Sequence, residues 1–179
     1  MTPTKRLELL DMIAPGSRVV EVGVNTGTFS RELLEHDKQI QLFGIDMWIG
    51  RNKRRRREQA EQVYREFGHR AVLLFADSAD SAAMFADETF DLIYIDAGHM
   101  YRSVARDIAA WWSKCKRYVA GVTGIFAGHD YIVAKRFGVI QAVDEFAAQI
   151  GQQPRLVPKN MTTGDYNDTL ESWYFHKES

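Results

Sequence analysis

The chain has 179 residues, 45% of them hydrophobic and 26% charged, which suits one globular domain over residues 1–179 and excludes a disordered or fibrous protein. Its formal net charge of −1 at pH 7 gives no global positive field for nucleic acid or an anionic membrane, so any such attraction must be local. Cys115 is the single cysteine, which excludes an intramolecular disulfide framework and a zinc site built on several thiolates.

Met1 to Asp11 carries no apolar core of signal-peptide length, and no uninterrupted apolar run approaches membrane-spanning length, so a soluble cytoplasmic protein is expected. Lys5 to Ile13 places Leu7, Leu10 and Ile13 at helical spacing ahead of Ala14-Pro15-Gly16, and this leading helix is expected to cover the sheet edge. Val19, Val20 and Val22 supply the β-branched run of a central strand. Gly23 and Gly27 then permit a tight turn, and Phe29 to Glu35 begins a helix. Gln39 to Ile45 follows as a second strand ending in Asp46, completing a first βαβ unit. Residues 54–67 are charged and helix-forming, Ala71 to Phe75 is an apolar third strand, and Ser81 to Phe85 is a short helical piece.

Phe90 to Ile95 makes a fourth strand closed by Asp96, and Tyr101 to Trp112 an amphipathic helix. Gly121 to Ala127 returns as a fifth strand before Gly128-His129-Asp130. Val139 to Ile150 is a further helix, Arg155 to Val157 and Ser172 to His176 are short strands, and Asn160 to Asp168 is a loop. Such alternation implies an α/β fold with a parallel sheet and helices on both faces.

The loop from Glu21 to Gly27 carries the first chemical signal. It lies at a strand's C-terminal end, where open α/β sheets bind ligands. A dinucleotide fingerprint would read G-x-G-x-x-G and offer bare amide donors to a pyrophosphate, whereas the spacing here is G-x-x-x-G with a carboxylate at its mouth. A carboxylate repels pyrophosphate and attracts an ammonium or sulfonium. The loop resembles the first motif of class I S-adenosylmethionine-dependent methyltransferases. An ordinary glycine turn closing a βα unit is the alternative.

The segment FDLIYIDAGHMYRSVARDIAAWW, then GIFAGHDY and GVIQAVDEF, is similar to the small bacterial methyltransferases grouped as methyltransferase type 24. With the glycine loop, these matches span residues 19–146. The resemblance implies a Rossmann-like, doubly wound, seven-stranded sheet, mostly parallel with its last strand antiparallel, and S-adenosylmethionine as methyl donor. The chain departs from that family before the fifth strand, where Lys114 to Gly124 replaces the usual Pro-Gly-Gly turn.

Carried onto this chain, the resemblance implies Glu21, Gly23 and Gly27 around the methionine part of the cofactor, with Asn25 from the same loop. Asp46 would accept from the ribose hydroxyls, or else cap the following turn. Met47 and Trp48 would pack on adenine or ribose, or else form core. Asp77 and Ser78 would meet the adenine edge, though Asp-Ser is also ordinary helix-capping material. Asp96 would serve cofactor and chemistry together.

Asp96 and Asp130 should emerge at the same sheet edge, with His99 and His129 beside them in sequence. Adjacent strands lie about 4.8 Å apart, so carboxylates at neighbouring strand ends can share one cation. In the metal-dependent O-methyltransferases that the chain resembles, acids at these positions hold a divalent ion such as magnesium. Asp96, Asp130 and His129, the last directly or through water, are the expected metal ligands, the imidazole favouring a softer ion such as manganese, and a metal-free site using His99 alone is the alternative. His99, with Asp96, is the expected catalytic group, a base of unperturbed pKa about 6.5.

Arg51 to Arg57 places six cations within seven residues. This run is either a solvated helix start balanced by Glu58, Glu61 and Glu66 or a recognition surface for an acidic substrate. Without an aromatic platform it is a weak footprint for nucleic acid. The expected function is metal-assisted O-methylation of a small molecule, such as a sugar, glycolipid precursor or secondary metabolite. An N- or RNA methyltransferase and a non-catalytic cofactor-binding module are the alternatives. An Asp-Pro-Pro-Tyr motif, used on amino nitrogens, is absent from the sequence. A homodimer would hide apolar surface if Trp111, Trp112 and Trp173 were exposed.

Overall fold

The computed structural model describes residues 2–36, 39–117, 124–158 and 170–178. Seven strands form one sheet in the order β3-β2-β1-β4-β5-β7-β6. They are β1 (Arg18–Val22), β2 (Gln41–Asp46), β3 (Ala71–Phe75), β4 (Leu92–Ile95), β5 (Ile125–Gly128), β6 (Arg155–Val157) and β7 (Ser172–His176). The first five run parallel, and β7 lies antiparallel to both β5 and β6. The expected Rossmann-like sheet with an antiparallel last strand is what the chain builds.

Central strands are buried on both faces, which is why β1 and β4 read as continuous apolar runs rather than alternating ones. On one face, Leu9, Leu10, Phe29, Leu33, Tyr64 and Tyr94 pack beneath α1 (Thr28–Glu35) and α2 (Lys53–Phe67). On the other, Phe90, Trp111, Phe126, Val143 and Trp173 pack beneath α4 (Tyr101–Trp111) and α5 (Val139–Ile150). The short α3 (Ser78–Ser81) sits beside α4.

The leading segment differs from expectation in winding and place. It is a 3-10 helix, Arg6–Met12, and it buries Arg6, Leu9 and Leu10 against a sheet face rather than an edge. A period of three residues aligns Leu7, Leu10 and Ile13 in this winding. The third helical piece also starts early, at Ser78, because Asp77 caps it by accepting from the amides of Ala79 and Asp80. It continues as a 3-10 turn over Ala82–Met84. The fifth strand is observed as Ile125–Gly128, while residues 121–123 and most of the Lys114–Gly124 departure lie outside the described residues. The loop expected at Asn160 to Asp168 lies outside them as well.

The tryptophans do not provide a surface for pairing. Trp111 and Trp173 are buried, and Trp112 packs edge-on against Phe126 and Phe146. Among the described residues, no helix is long and apolar enough to cross a membrane.

Candidate active site

The parallel strands aim their carboxyl ends at one edge, and the loops that leave them continue the ladder for a residue or two. Gly23 N–H donates to Ile45 O at 2.8 Å, Asp96 N–H to Val22 O at 2.7 Å, and His129 N–H to Ile95 O at 3.1 Å. These bonds bring the loops after β1, β2, β4 and β5 together around a cavity of about 750 Å³. Glu21, Gly23, Asn25, Asp46, Met47, Asp77, Ser78, Asp96, His99, His129 and Asp130 all line it; of the predicted set, Gly27 does not.

Gly23 makes the convergence possible. Its φ is +103°, and a Cβ there would stand 2.1 Å from the carbonyl oxygen of Asp96, so only glycine lets the β1 loop cross the end of β4. Asn25 follows at φ +54° and donates its N–H to Asp46 Oδ2 at 2.8 Å, while Trp48 N–H donates to Asp46 Oδ1 at 2.6 Å. Asp46 thus ties the first two loops together while facing the cavity. Two accepted bonds leave about two lone-pair positions of a carboxylate for a ligand. Met47 is 38% exposed and lines the cavity, but Trp48 is 3% exposed and stacks on Phe75.

Glu21 is 2% exposed and receives a short hydrogen bond from Ser30 Oγ, which in turn accepts from Tyr64 Oη at 3.2 Å. Burial pushes its carboxyl up to about 8, partly opposed by the Ser30 bond. At neutral pH the pocket therefore holds a largely protonated acid, not the standing negative charge that the sequence suggested. At the far end, Asp77 is held below the usual carboxylate range by the Asp80 amide and the Arg106 guanidinium, the latter at 3.0 Å. Ser78 Oγ donates to the buried Asp107, whose carboxyl burial pushes up to about 6.

The second cluster gathers the residues expected for chemistry. His99 Nε2 lies 2.8 Å from Asp130 Oδ2 and 3.6 Å from Asp96 Oδ1. His129 Nδ1 lies 3.4 Å from Asp130 Oδ1 and 3.9 Å from Asp96 Oδ2. The Asp130 backbone is left-handed at φ +59°, an uncommon conformation for a non-glycine residue that recurs at functional sites. Burial would raise the Asp130 carboxyl, yet hydrogen bonds from His129 and His99 outweigh it and hold the acid well below the usual range. The hydrogen bond to Asp130, and then that to Asp96, lifts His99 to about 10. His99 is accordingly an imidazolium at neutral pH, rather than a base with the unperturbed value near 6.5.

Asp96, His129 and Asp130 each offer a ligand atom, all within 4.8 Å of one another. Two carboxylates and an imidazole fit a divalent cation that accepts mixed oxygen and nitrogen donors. His129 is buried, and its Nε2 has no hydrogen-bond partner among the described residues. Phe137 and Arg6 are among the lining residues that sequence reasoning did not assign. Phe137 packs on the His99 ring with centroids 4.7 Å apart, and Arg6 enters from the leading 3-10 helix. Neither carries a motif, since both act through tertiary placement.

The strand order and the glycine crossing are those of the class I methyltransferase fold. A family model described as a methyltransferase domain, Methyltransf_24, matches residues 20–131, and the chain belongs to that family. Among solved structures it is similar to a putative rRNA-methylase from Clostridium thermocellum, at 14% identity and TM-score 0.67, covering 100% of this chain and 99% of that one. It is also similar to spermidine synthase from Thermotoga maritima, at 19% identity and TM-score 0.63, covering 97% of this chain and 60% of that one. CurJ carbon methyltransferase aligns at 12% identity and TM-score 0.62, over 92% of this chain and 49% of that one. The chain thus spans less than two thirds of the last two, and at these identities the likeness is one of fold. No curated protein matches the sequence.

Proposed function

We propose that the protein binds S-adenosylmethionine along Glu21, Gly23, Asn25, Asp46, Met47, Asp77 and Ser78 and directs methyl transfer to an oxygen of a small acceptor. The observation that carries this reading is the contact of His99 with Asp130 at 2.8 Å, beside Asp96 and on the wall of the same cavity. The cofactor supplies a methyl group already activated on a positively charged sulfur. The protein's work is then alignment of the acceptor, exclusion of water and management of one proton.

The acceptor hydroxyl gives its proton to the Asp96 carboxylate, while His99, protonated at Nε2 against Asp130, presents positive charge where the acceptor oxygen becomes negative. Phe137 fixes the ring plane. Asp96, His129 and Asp130 would hold the cation, which when bound supplies charge stabilisation for a deprotonated oxygen. The carboxylates that raise His99 are the ones that would take the cation, so the two occupancies are linked.

An acidic acceptor suits the neighbouring surface. Arg51, Arg55 and Arg56 line a second, open pocket that shares Asn25 and Arg56 with the main cavity. Arg54 and Arg57 are paired with Glu58 and Glu61, while Arg51 and Arg55 show no carboxylate partner among the described residues.

Calorimetry with S-adenosylhomocysteine, followed by a screen of hydroxylated acceptors with and without chelator, tests the proposal. Binding with chelator-sensitive O-methylation supports it. Failure to bind S-adenosylhomocysteine overturns it.

A further inference from the structure

The basic run at the start of α2 has an aromatic neighbour that the sequence does not place beside it. Phe75 ends the edge strand β3 and is 61% exposed. It stands in register with Asp46 and lies parallel to the buried Trp48, with ring centroids 6.0 Å and planes 7° apart. Trp48 is pinned in turn by its indole N–H, which donates to Asn25 O at 2.7 Å. Phe75 is thus held in place without being covered. The Arg57 guanidinium lies 4.7 Å from the Phe75 ring centroid, and its Nε contacts Glu61 Oε1 at 2.7 Å. A phenyl ring and a planar cation, both open to solvent, make a stacking surface for a flat aromatic ligand.

Successive residues of a helix turn by about 100°, so Arg55 and Arg57 point to opposite flanks of α2. Phe75 and Arg57 occupy one flank, while Arg51, Arg55 and Arg56 line the open pocket on the other. A ligand that touches both must cross the start of the helix, a span of about 10 Å. It needs a planar ring at one end and negative charge at the other. Arg51 and Arg55 have no carboxylate partner among the described residues, and they stand at the positive end of the α2 dipole, where phosphate groups relieve the crowding of like charges.

We propose that the acceptor is a small hydroxyl compound linked to a nucleoside diphosphate. The base stacks on Phe75 and Arg57, and the diphosphate crosses the start of α2 onto Arg51 and Arg55. The hydroxylated end enters the main cavity past Asn25 and Arg56, which line both spaces. Phe75 lies outside the main cavity, so this base does not compete with the adenine of the cofactor. The inference deepens the reading under Proposed function and rests on it for an acceptor that is small and acidic. Stacking uses the π-face common to all bases, so the surface selects for a base rather than for one particular base.

The test titrates uridine diphosphate, guanosine diphosphate and pyrophosphate by calorimetry into protein saturated with S-adenosylhomocysteine, which keeps nucleotides out of the cofactor pocket. Both nucleoside diphosphates are expected to bind about 10-fold more tightly than pyrophosphate, the scale of one stacked base. Phe75→Leu should remove that difference and leave pyrophosphate unchanged, whereas the Arg51→Ser/Arg55→Ser double variant should weaken all three. Equal wild-type affinity for the nucleotides and pyrophosphate, or no binding of either nucleotide, overturns the proposal without needing any variant to fold. Tighter binding of a short single-stranded oligouridylate, rising with its length, overturns it in favour of a nucleic-acid surface. Failure of S-adenosylhomocysteine to bind sinks the cofactor assignment instead, and the comparison of nucleotides with pyrophosphate still decides the stacking surface.

Discussion

His99 and Asp130 stand on different loops, after β4 and β5, yet their side chains meet at 2.8 Å because Asp130 adopts a left-handed backbone at φ +59°. Asparagine tolerates that conformation well, so Asp130→Asn should fold normally. It removes the charge that holds His99 protonated. A fall in kcat of about 100-fold, with S-adenosylhomocysteine affinity unchanged by calorimetry, is the expected result. A matching loss of affinity would mean that Asp130 shapes the cofactor pocket instead.

Gly23→Ala places a methyl group 2.1 Å from the Asp96 carbonyl oxygen at a φ of +103°. Either the β1 loop or the end of β4 must move, and both line the cavity. The variant should lose about 3 kcal/mol of stability and all measurable cofactor binding. Thermal melting with and without S-adenosylhomocysteine checks both, and a ligand-induced rise in Tm equal to that of wild type would refute the crossing.

Glu21 has a definite pH signature. Its folded value of about 8 lies above the ordinary 4.5, so the folded protein keeps a proton that the unfolded chain loses between those limits. Stability contributed by this group is therefore complete below pH 4.5 and declines as pH rises toward 8. Glu21→Gln keeps an acceptor for Ser30 and removes the titration. Its Tm should equal that of wild type below pH 4.5 and exceed it by about 5 °C near pH 8 in the absence of ligand. A constant offset at all pH values would show that burial is not the cause.

The same group links cofactor binding to protons. An ammonium placed beside Glu21 favours the carboxylate, so binding below pH 8 should release a proton and affinity should rise with pH up to that value. Calorimetry in buffers of different ionisation enthalpy reads the proton directly. No release at pH 7 would separate Glu21 from the ligand's cation.

Arg51→Ser and Arg55→Ser remove exposed cations that have no carboxylate partner among the described residues. For an acidic acceptor, KM should rise about 10-fold in the double variant with kcat preserved, and the difference should shrink in high salt. A neutral acceptor should show no change. Equal effects on both acceptors would assign the run to helix packing.

The basic run shows how far local chemistry reaches. Six cations at the start of α2 oppose the helix dipole, and the helix forms there with Arg54–Glu58 and Arg57–Glu61 pairs one turn apart. The sequence identified both the charges and their balancing acids. It did not reveal that Arg56 turns inward to Asn25 Oδ1 at 3.2 Å, while Arg51 and Arg55 line a shared rim.

Sequence alone determined the strands and helices, because valine-rich runs, glycine turns and amphipathic helices are local patterns set by side-chain period and backbone sterics, while the antiparallel last strand was legible only through the family resemblance. It also marked the acids at strand ends, since β-strand direction fixes which edge they reach. Tertiary structure decided the protonation of Glu21 and His99, which depends on burial and on carboxylates brought from other strands. It decided as well that Arg6, in a leading segment resembling a mere cover, is buried in the wall of the cavity at the strand ends. Spacing along a chain encodes which face a residue takes, but electrostatic environment is a property of neighbours assembled only when the chain has folded.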